Sequence, residues 1–259
     1  MTTIAEAFTK AHAENRAALI GYLPAGYPTK AGAVECISAM VSGGVDIVEI
    51  GLPYSDPLMD GVTIQNAVQT SLENGTKIAD VIDTVDQVSN LGVATLVMSY
   101  WNPIERYGIE KFAEQLHQAG GVGVITPDLT PEEAHAWTNA TDQNGIDRVF
   151  LVALSSTDVR LATVASATTG FVYAGAVMGV TGARSALGDS VREVVERTRQ
   201  FTDLPIAVGL GVSTPEQAHD IAQYADGVIV GSAFINAIES GGAQAAHELA
   251  KSLRAGVVR

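Results

Sequence analysis

Three carboxylates lie close together in a segment rich in proline and glycine: Glu49, Asp56 and Asp60. Glu49 stands near the end of a continuous apolar run, residues 45–51, which predicts a buried β-strand. Side chains alternate along a strand, so Glu49 shares one face with Ile47. Apolar surroundings raise the pKa of a carboxyl and suit it to acid–base catalysis near neutral pH. A structural Glu paired with arginine or backbone amides is the alternative, and the two further carboxylates favour a functional site.

Two glycine-rich turns late in the chain predict a phosphate site. Residues 209–213 and 230–233 each follow an apolar run and precede a helix-like stretch. Backbone amides at such turns and at helix N-termini bind anions without a lysine. The alternative is that the glycines only permit tight turns, but two such turns in succession favour phosphate binding.

Other chemistries find little support in the residue types. None of the five lysines falls at the end of a predicted strand, which disfavours a Schiff-base mechanism. The five histidines fall in helix-like segments without the spacing of ligands, so we expect no metal site. Cys36 is the only cysteine and excludes a disulfide framework. The chemistry that remains after these exclusions is proton transfer by carboxylates on a phosphorylated substrate.

The charge balance limits the partners that this chain can have. Its 259 residues carry a formal net charge of −14, which disfavours binding to nucleic acid and to anionic membrane surfaces. No apolar run approaches the roughly 18 residues of a membrane-spanning helix. The N-terminus lacks the pattern of a secretory signal peptide. We therefore expect a cytoplasmic protein.

Short apolar runs alternate with helix-like stretches along the whole sequence. The predicted strands cover residues 18–23, 45–51, 94–100, 121–126, 148–154, 170–174, 205–209 and 227–230. The predicted helices include residues 30–41, 109–118, 131–139, 189–200 and 215–223. Eight strand–helix units predict an α/β protein, a single (β/α)8 TIM barrel over residues 1–259 with an extra N-terminal helix. An open doubly wound sheet would place its glycine-rich turn after the first strand, and here these turns come late.

Two helix starts carry a capping signature. Thr130 and Ser213 each precede a glutamate by three residues, with a proline in between. This spacing predicts that each hydroxyl begins a helix directly after a strand.

The segment of residues 49–61, followed by Thr63-Ile64-Gln65-Asn66-Ala67, closely resembles the signature of the tryptophan synthase α subunit family. The similarity covers essentially the whole chain in the right order. It continues through residues 26–28, 100–103, 128–129, 179–182, 209–213 and 231–233. The resemblance implies a (β/α)8-barrel lyase that cleaves indole-3-glycerol phosphate to indole and glyceraldehyde 3-phosphate.

The resemblance also assigns roles to residues. Glu49 is the implied acid–base catalyst, Asp60 holds the indole N–H, and Tyr173 is the active-site tyrosine. Thr181 lies on the loop that closes over the substrate, and the small residues of 177–189 predict that this loop moves when the site is empty. The implied phosphate-binding positions are Gly182, Gly211 and Ser232. The implied indole pocket consists of Tyr22, Met98 and Ile125.

The family assembles as an α2β2 complex, and the loop with Pro53 and Asp56 matches its partner-facing loop. The β subunit would carry pyridoxal phosphate, so we expect no cofactor in this chain. Two other functions remain open from the sequence. One is a stand-alone indole-3-glycerol-phosphate lyase that releases free indole. The other is a non-catalytic barrel that binds a phosphorylated metabolite, and the intact pair of Glu49 and Asp60 argues against it.

Overall fold

The computed structural model describes residues 2–175 and 184–259, with the backbone alone for residues 184–189. This described part contains nine strands, all parallel to their neighbours. Their bounds are β1 Ala18–Pro24, β2 Ile47–Gly51, β3 Ala94–Met98, β4 Gly123–Ile125, β5 Asp147–Val149, β6 Leu151–Ala153, β7 Val172–Gly175, β8 Ile206–Gly209 and β9 Gly227–Val230.

Helices follow the strands on the outside of the sheet. Their bounds are α1 Ile4–Ala13, α2 Lys30–Ser42, α3 Val62–Glu73, α4 Ile78–Ser89, α5 Trp101–Tyr107, α6 Ile109–Gln118, α7 His135–Asn144, α8 Asp158–Ala167, α9 Arg184–Thr198, α10 Pro215–Ala222 and α11 Ser232–Gly256. Helix α11 is interrupted by non-helical backbone at Gly241 and Gly242. In the part of the chain described here, no helix is long and apolar enough to cross a membrane.

The strands close into the predicted barrel. Strand β1 pairs with β2 on one side and with β9 on the other. The strands β5 and β6, which pair with β4 and β7, are separated by Phe150 alone. They are two halves of one barrel strand, so the eight predicted strands correspond to eight barrel positions. The predicted strand over residues 148–154 is thus correct in place but broken in the middle.

The alternation of side chains sorts the core into two layers. Ile20, Ile47 and Leu96 belong to the cluster inside the barrel, while Val48 and Ile50 pack outward against the helices. The predicted N-terminal helix α1 is present and closes the bottom of the barrel. Its apolar face joins the interior cluster through Ile4, Ala7, Phe8 and Ala11.

Both predicted helix caps are wrong in detail. Helix α7 begins at His135, because residues 130–134 first form a turn in which the Glu133 and Ala134 amides donate to preceding carbonyls. The Thr130 hydroxyl bonds the Glu133 carboxylate at 3.2 Å instead of a helix amide. At α10 the cap is Thr214, not Ser213.

Candidate active site

Glu49 occupies the inner face of β2, toward its C-terminal end. In register it lies between Tyr22 of β1 and Leu96 of β3. Its side chain is 1% exposed, and Oε1 has no hydrogen-bond partner among the described residues. Desolvation by burial raises the pKa of Glu49 to about 8. Among the side chains that the structure describes, no arginine pairs with Glu49, and the raised pKa favours the neutral carboxyl near pH 7.

Asp60 lies half-buried in the loop between β2 and α3. Burial raises the pKa of Asp60, and a hydrogen bond from the Tyr100 hydroxyl partly offsets this shift. The same hydroxyl accepts from the Met59 amide at 3.0 Å. On the other side, Gln65 Nε2 donates to the Asp60 carbonyl at 2.7 Å. The loop is thus held on both sides of the Asp60 carboxylate.

Tyr100 is a residue of the candidate site to which the sequence analysis assigned no chemical role. It stands two residues beyond the end of β3 and is the N-cap residue of α5, so it lies at the C-terminal edge of the barrel. Its ring packs against Tyr54 of the β2–α3 loop with 5.6 Å between centroids. The available signal was its position as the last residue of the predicted strand 94–100, at the end of a strand where barrel active sites are built.

Two tyrosines from opposite sides of the barrel face the same interior space. Tyr22 lies on β1 and Tyr173 on β7. Burial raises the pKa of both phenols, and the charges of Glu49 and Asp60 add to each shift. Both hydroxyls therefore remain protonated and can act as hydrogen-bond donors.

The residues expected to form an indole pocket lie at two depths. Tyr22 and Met98 line a cavity together with Asp60 and Tyr100. Ile125 is fully buried at the end of β4, in register with Met98, and belongs to the interior cluster below this cavity. The structure thus brings Tyr22 and Met98 next to Asp60, with Ile125 beneath them.

The two late glycine-rich turns meet at one edge of the barrel, because β8 and β9 are neighbours. Gly211 has φ +65°, a left-handed conformation that favours glycine, and apart from its chain neighbours no described residue has an atom within 4 Å of where a Cβ would stand. Ser232 is the first residue of α11, so its amide is among those that lack an intrahelical acceptor. Thr181 and Gly182, the other two residues expected here, lie outside the described residues.

The loop expected to face a partner is partly buried and partly exposed. Pro53 is buried, whereas Asp56 is exposed and accepts a hydrogen bond of 2.6 Å from the Ser55 hydroxyl. The loop and the start of α3 also present Leu58 and Val62, which are 76% and 72% exposed. Together these side chains form an apolar patch beside Asp60.

No group of three side chains able to hold a metal ion occurs within residues 2–175 and 190–259. The candidate chemistry in this part of the chain consists of carboxyls, phenols and backbone amides.

A closed barrel with a buried carboxyl at the C-terminal ends of its strands has the architecture of the (β/α)8-barrel enzymes. Comparison with known proteins makes the assignment specific. The sequence model of the family described as tryptophan synthase alpha chain matches residues 8–256. The chain belongs to this tryptophan synthase alpha chain family.

Several relatives match over nearly their full length. The tryptophan synthase alpha chain of Acidothermus cellulolyticus is 50% identical, over 100% of this chain and 98% of the relative. That of Thermobifida fusca is 54% identical, over 90% of this chain and 88% of the relative. A solved structure of Mycobacterium tuberculosis tryptophan synthase contains a chain with 48% identity and a TM-score of 0.94, covering 100% of both chains.

Proposed function

We propose that this chain cleaves indole-3-glycerol phosphate to indole and glyceraldehyde 3-phosphate with Glu49 as the acid–base catalyst. Membership of the family makes the chain a carbon–carbon lyase. The single observation that carries the role of Glu49 is its burial without a hydrogen-bond partner for Oε1, at the C-terminal end of a barrel strand. Among the described residues, no other carboxyl combines full burial with this position.

The raised pKa of Glu49 favours a mechanism in which this residue acts first as an acid and then as a base. With a pKa of about 8 the carboxyl is mostly protonated at pH 7, so it begins as the acid. It donates its proton to C3 of the indole ring, which leaves positive charge on the ring nitrogen. The resulting carboxylate then accepts the proton of the side-chain carbinol while the carbon–carbon bond breaks. One residue serves both steps and ends in its starting state.

Asp60 supports the first step by holding the indole N–H as positive charge develops on the ring. The hydrogen bond from Tyr100 favours the ionised form of Asp60 against the effect of burial. Tyr173 donates a hydrogen bond from the opposite wall. Tyr22, Met98 and Ile125 provide the apolar surface for the indole ring.

The phosphate group binds at the edge formed by β8 and β9. Gly211 and Ser232 offer backbone amides there, and we assign Gly182 to the same group by resemblance. The positive end of the α11 dipole favours a dianion at this position. Thr181 would close the loop after β7 over the bound substrate, which excludes water from the reaction.

The partner that we propose is a tryptophan synthase β subunit in an α2β2 complex, which receives the indole and holds pyridoxal phosphate. The apolar patch of Leu58 and Val62, beside Pro53 and Asp56, supports a protein partner on this loop. The alternative of a stand-alone lyase shares all the catalytic residues. It differs in one measurable respect, namely that its rate does not respond to a β subunit.

Indole release from indole-3-glycerol phosphate tests the proposal. The wild-type chain is expected to release indole, and Glu49→Gln is expected to lose at least about 10²–10⁴-fold in kcat, because the amide keeps the shape but cannot exchange a proton. Glu132→Gln, at an exposed glutamate paired with Arg160, is the matched control and should retain full activity. Near-normal indole release by Glu49→Gln would refute the assignment of the acid–base role.

A further inference from the structure

Tyr22 carries a second polar group into the space above Glu49. The two residues are register partners on neighbouring strands, and both side chains point into the barrel. A Cβ atom on Gly51 would stand 2.4 Å from the Tyr22 hydroxyl, closer than real Cβ contacts come. The phenol therefore crosses β2 two residues beyond Glu49, on the same face, and its hydroxyl lies on the mouth side of the carboxyl.

One of the two polar groups lacks a hydrogen-bond partner. Glu49 Oε1 is buried and unpaired among the described residues. Tyr22 is 6% exposed, and its ring borders the cavity that contains Asp60 and Met98. Buried polar groups are almost always hydrogen-bonded, so the unpaired Oε1 beside the phenol of Tyr22 indicates a ligand atom in the space that both side chains face.

The surroundings show which part of the substrate this atom belongs to. On one side Tyr22 borders the cavity that contains Asp60 and Met98, where we place the indole ring. On the other side its Cδ1 would lie 3.3 Å from a Cβ atom on Gly231, the residue before Ser232 and the phosphate edge. Tyr22 thus extends from the phosphate edge, next to its Cδ1, to the cavity of the indole ring, and its hydroxyl lies over β2 beside the path that the carbon chain of the substrate must take.

The charge state of Tyr22 suits a donor. Burial and the negative charges of Asp60 and Glu49 raise its pKa well above the ordinary value for a phenol. The hydroxyl keeps its proton throughout the working pH range and can therefore donate a hydrogen bond at any pH in that range.

We propose that Tyr22 is a further catalytic residue, whose hydroxyl donates a hydrogen bond to the carbinol oxygen of the substrate next to Glu49. This inference rests on the proposed function. During cleavage the carbinol O–H bond breaks and its proton moves to the Glu49 carboxylate. The electron pair left on oxygen forms the second bond of the aldehyde carbonyl, and the electrons of the breaking carbon–carbon bond return to the protonated indole ring. A donor aimed at this oxygen stabilises the charge that develops there.

The test compares Tyr22→Phe with wild type in the cleavage of indole-3-glycerol phosphate. The variant keeps the ring over Gly51 and removes only the hydroxyl. We expect kcat to fall about 100-fold, the order found for a single donor to a developing oxyanion, with KM unchanged. Tyr27→Phe is the matched control, because Tyr27 is also buried but the charges that raise its pKa are those of Glu239 and Cys36 and not that of Glu49. It should keep the wild-type kcat, and thermal melting should show all three proteins folded.

A second measurement separates donation from packing. Indole-3-propanol phosphate has the ring and the phosphate but lacks the carbinol oxygen, so its Kd should be the same for wild type and Tyr22→Phe. A wild-type kcat in Tyr22→Phe, or a Kd for the analogue weakened as much as kcat, would overturn the inference. These results would leave the proposed function intact, whereas a wild-type chain that releases no indole would remove the proposed function itself.

Discussion

At the scale of single residues, the site depends on one carboxyl whose environment is unfavourable for its charge. Glu49 is buried with no compensating cation among the side chains that the structure describes, and its raised pKa has desolvation as its cause. Burial of such a group lowers the free energy of unfolding, and it also leaves the carboxyl with a proton that it can donate at neutral pH. The cost should be measurable, because it depends on pH.

The pH dependence has a definite sign. Between the ordinary glutamate pKa of 4.5 and about 8, the unfolded chain has lost the Glu49 proton while the folded chain retains it. The free energy of unfolding therefore falls as pH rises through this window, by at most about 1.4 kcal/mol per pH unit. Glu49→Gln should melt at a higher temperature than wild type at pH 8, and the difference should vanish toward pH 4.5.

Glu132→Gln again serves as the control, since the Arg160 hydrogen bond lowers the pKa of the exposed Glu132. It should give no stabilisation at pH 8. If Glu49→Gln melts at the wild-type temperature at every pH, the carboxyl is not buried as a neutral acid in solution.

At the scale of elements, the β2–α3 loop is positioned by the start of the next unit. Tyr100 at the beginning of α5 accepts from the Met59 amide and donates to Asp60, so the end of β3 fixes the loop that follows β2. Helix α5 is fixed in turn, because the Trp101 amide donates to Asp128 at 2.8 Å. Adjacent loops thus hold one another in order around the mouth of the barrel.

Tyr100→Phe should therefore act through Asp60. It keeps the ring contact with Tyr54 and deletes only the hydroxyl, so we expect the melting temperature to change little while kcat falls about 10-fold, in line with the loss of a charge-assisted hydrogen bond. The decisive measurement is a double-mutant cycle with Asp60→Asn. Equal losses from Tyr100→Phe in the wild-type and Asp60→Asn backgrounds would show that Tyr100 does not act through Asp60.

At the scale of the whole molecule, the two ends of the chain are joined at the bottom of the barrel. Arg16 is 2% exposed and binds both carboxylate oxygens of Asp46, at 2.6 and 2.7 Å. The same residue forms an antiparallel bridge with Val258, and Arg254 reaches Glu14 at 2.6 Å. These contacts join both ends of the chain to β1 and to the α2–β2 connection, and we infer that residues 1–259 fold as one domain.

A single cooperative unfolding transition is the expected result of calorimetry on the wild-type chain. Arg16→Leu should shift this transition downward without splitting it, with a loss of about 3–5 kcal/mol, because it leaves the buried Asp46 carboxylate without its cation. Two resolved transitions in either protein would show that the barrel is not one folding unit.

Coupling to a partner also belongs to the whole molecule. The patch of Leu58 and Val62 flanks Asp60 in sequence, so a β subunit bound there should favour the arrangement in which Asp60 faces the substrate. Adding a β subunit is expected to speed the release of indole, and a ligand of the α site should tighten β binding by linkage. An unchanged rate at demonstrated saturation would move the stand-alone lyase to first place.

The sequence predicted most of the fold because the relevant signals are local. Continuous apolar runs and the helical stretches between them gave the eight units, and α6 was predicted with its observed bounds. The predictions of the two helix starts were wrong because the exact first residue of a helix is not set by local sequence alone. Thr130 has the right neighbours for a cap, but the turn over residues 130–134 delays the helix to His135.

The sequence by itself determined that Glu49 shares one face of its strand with Ile47, because the twofold alternation of a strand follows from its covalent geometry. It also determined that glycine-rich turns follow the last two strands, and it pointed to the family. Tertiary structure alone decided that Glu49 points into the barrel with Oε1 unpaired among the described residues, that Tyr100 holds Asp60 across 40 residues of chain, and that Tyr22 lies over Gly51. These contacts join different strands and loops, so their existence depends on barrel closure and packing, which no local preference specifies.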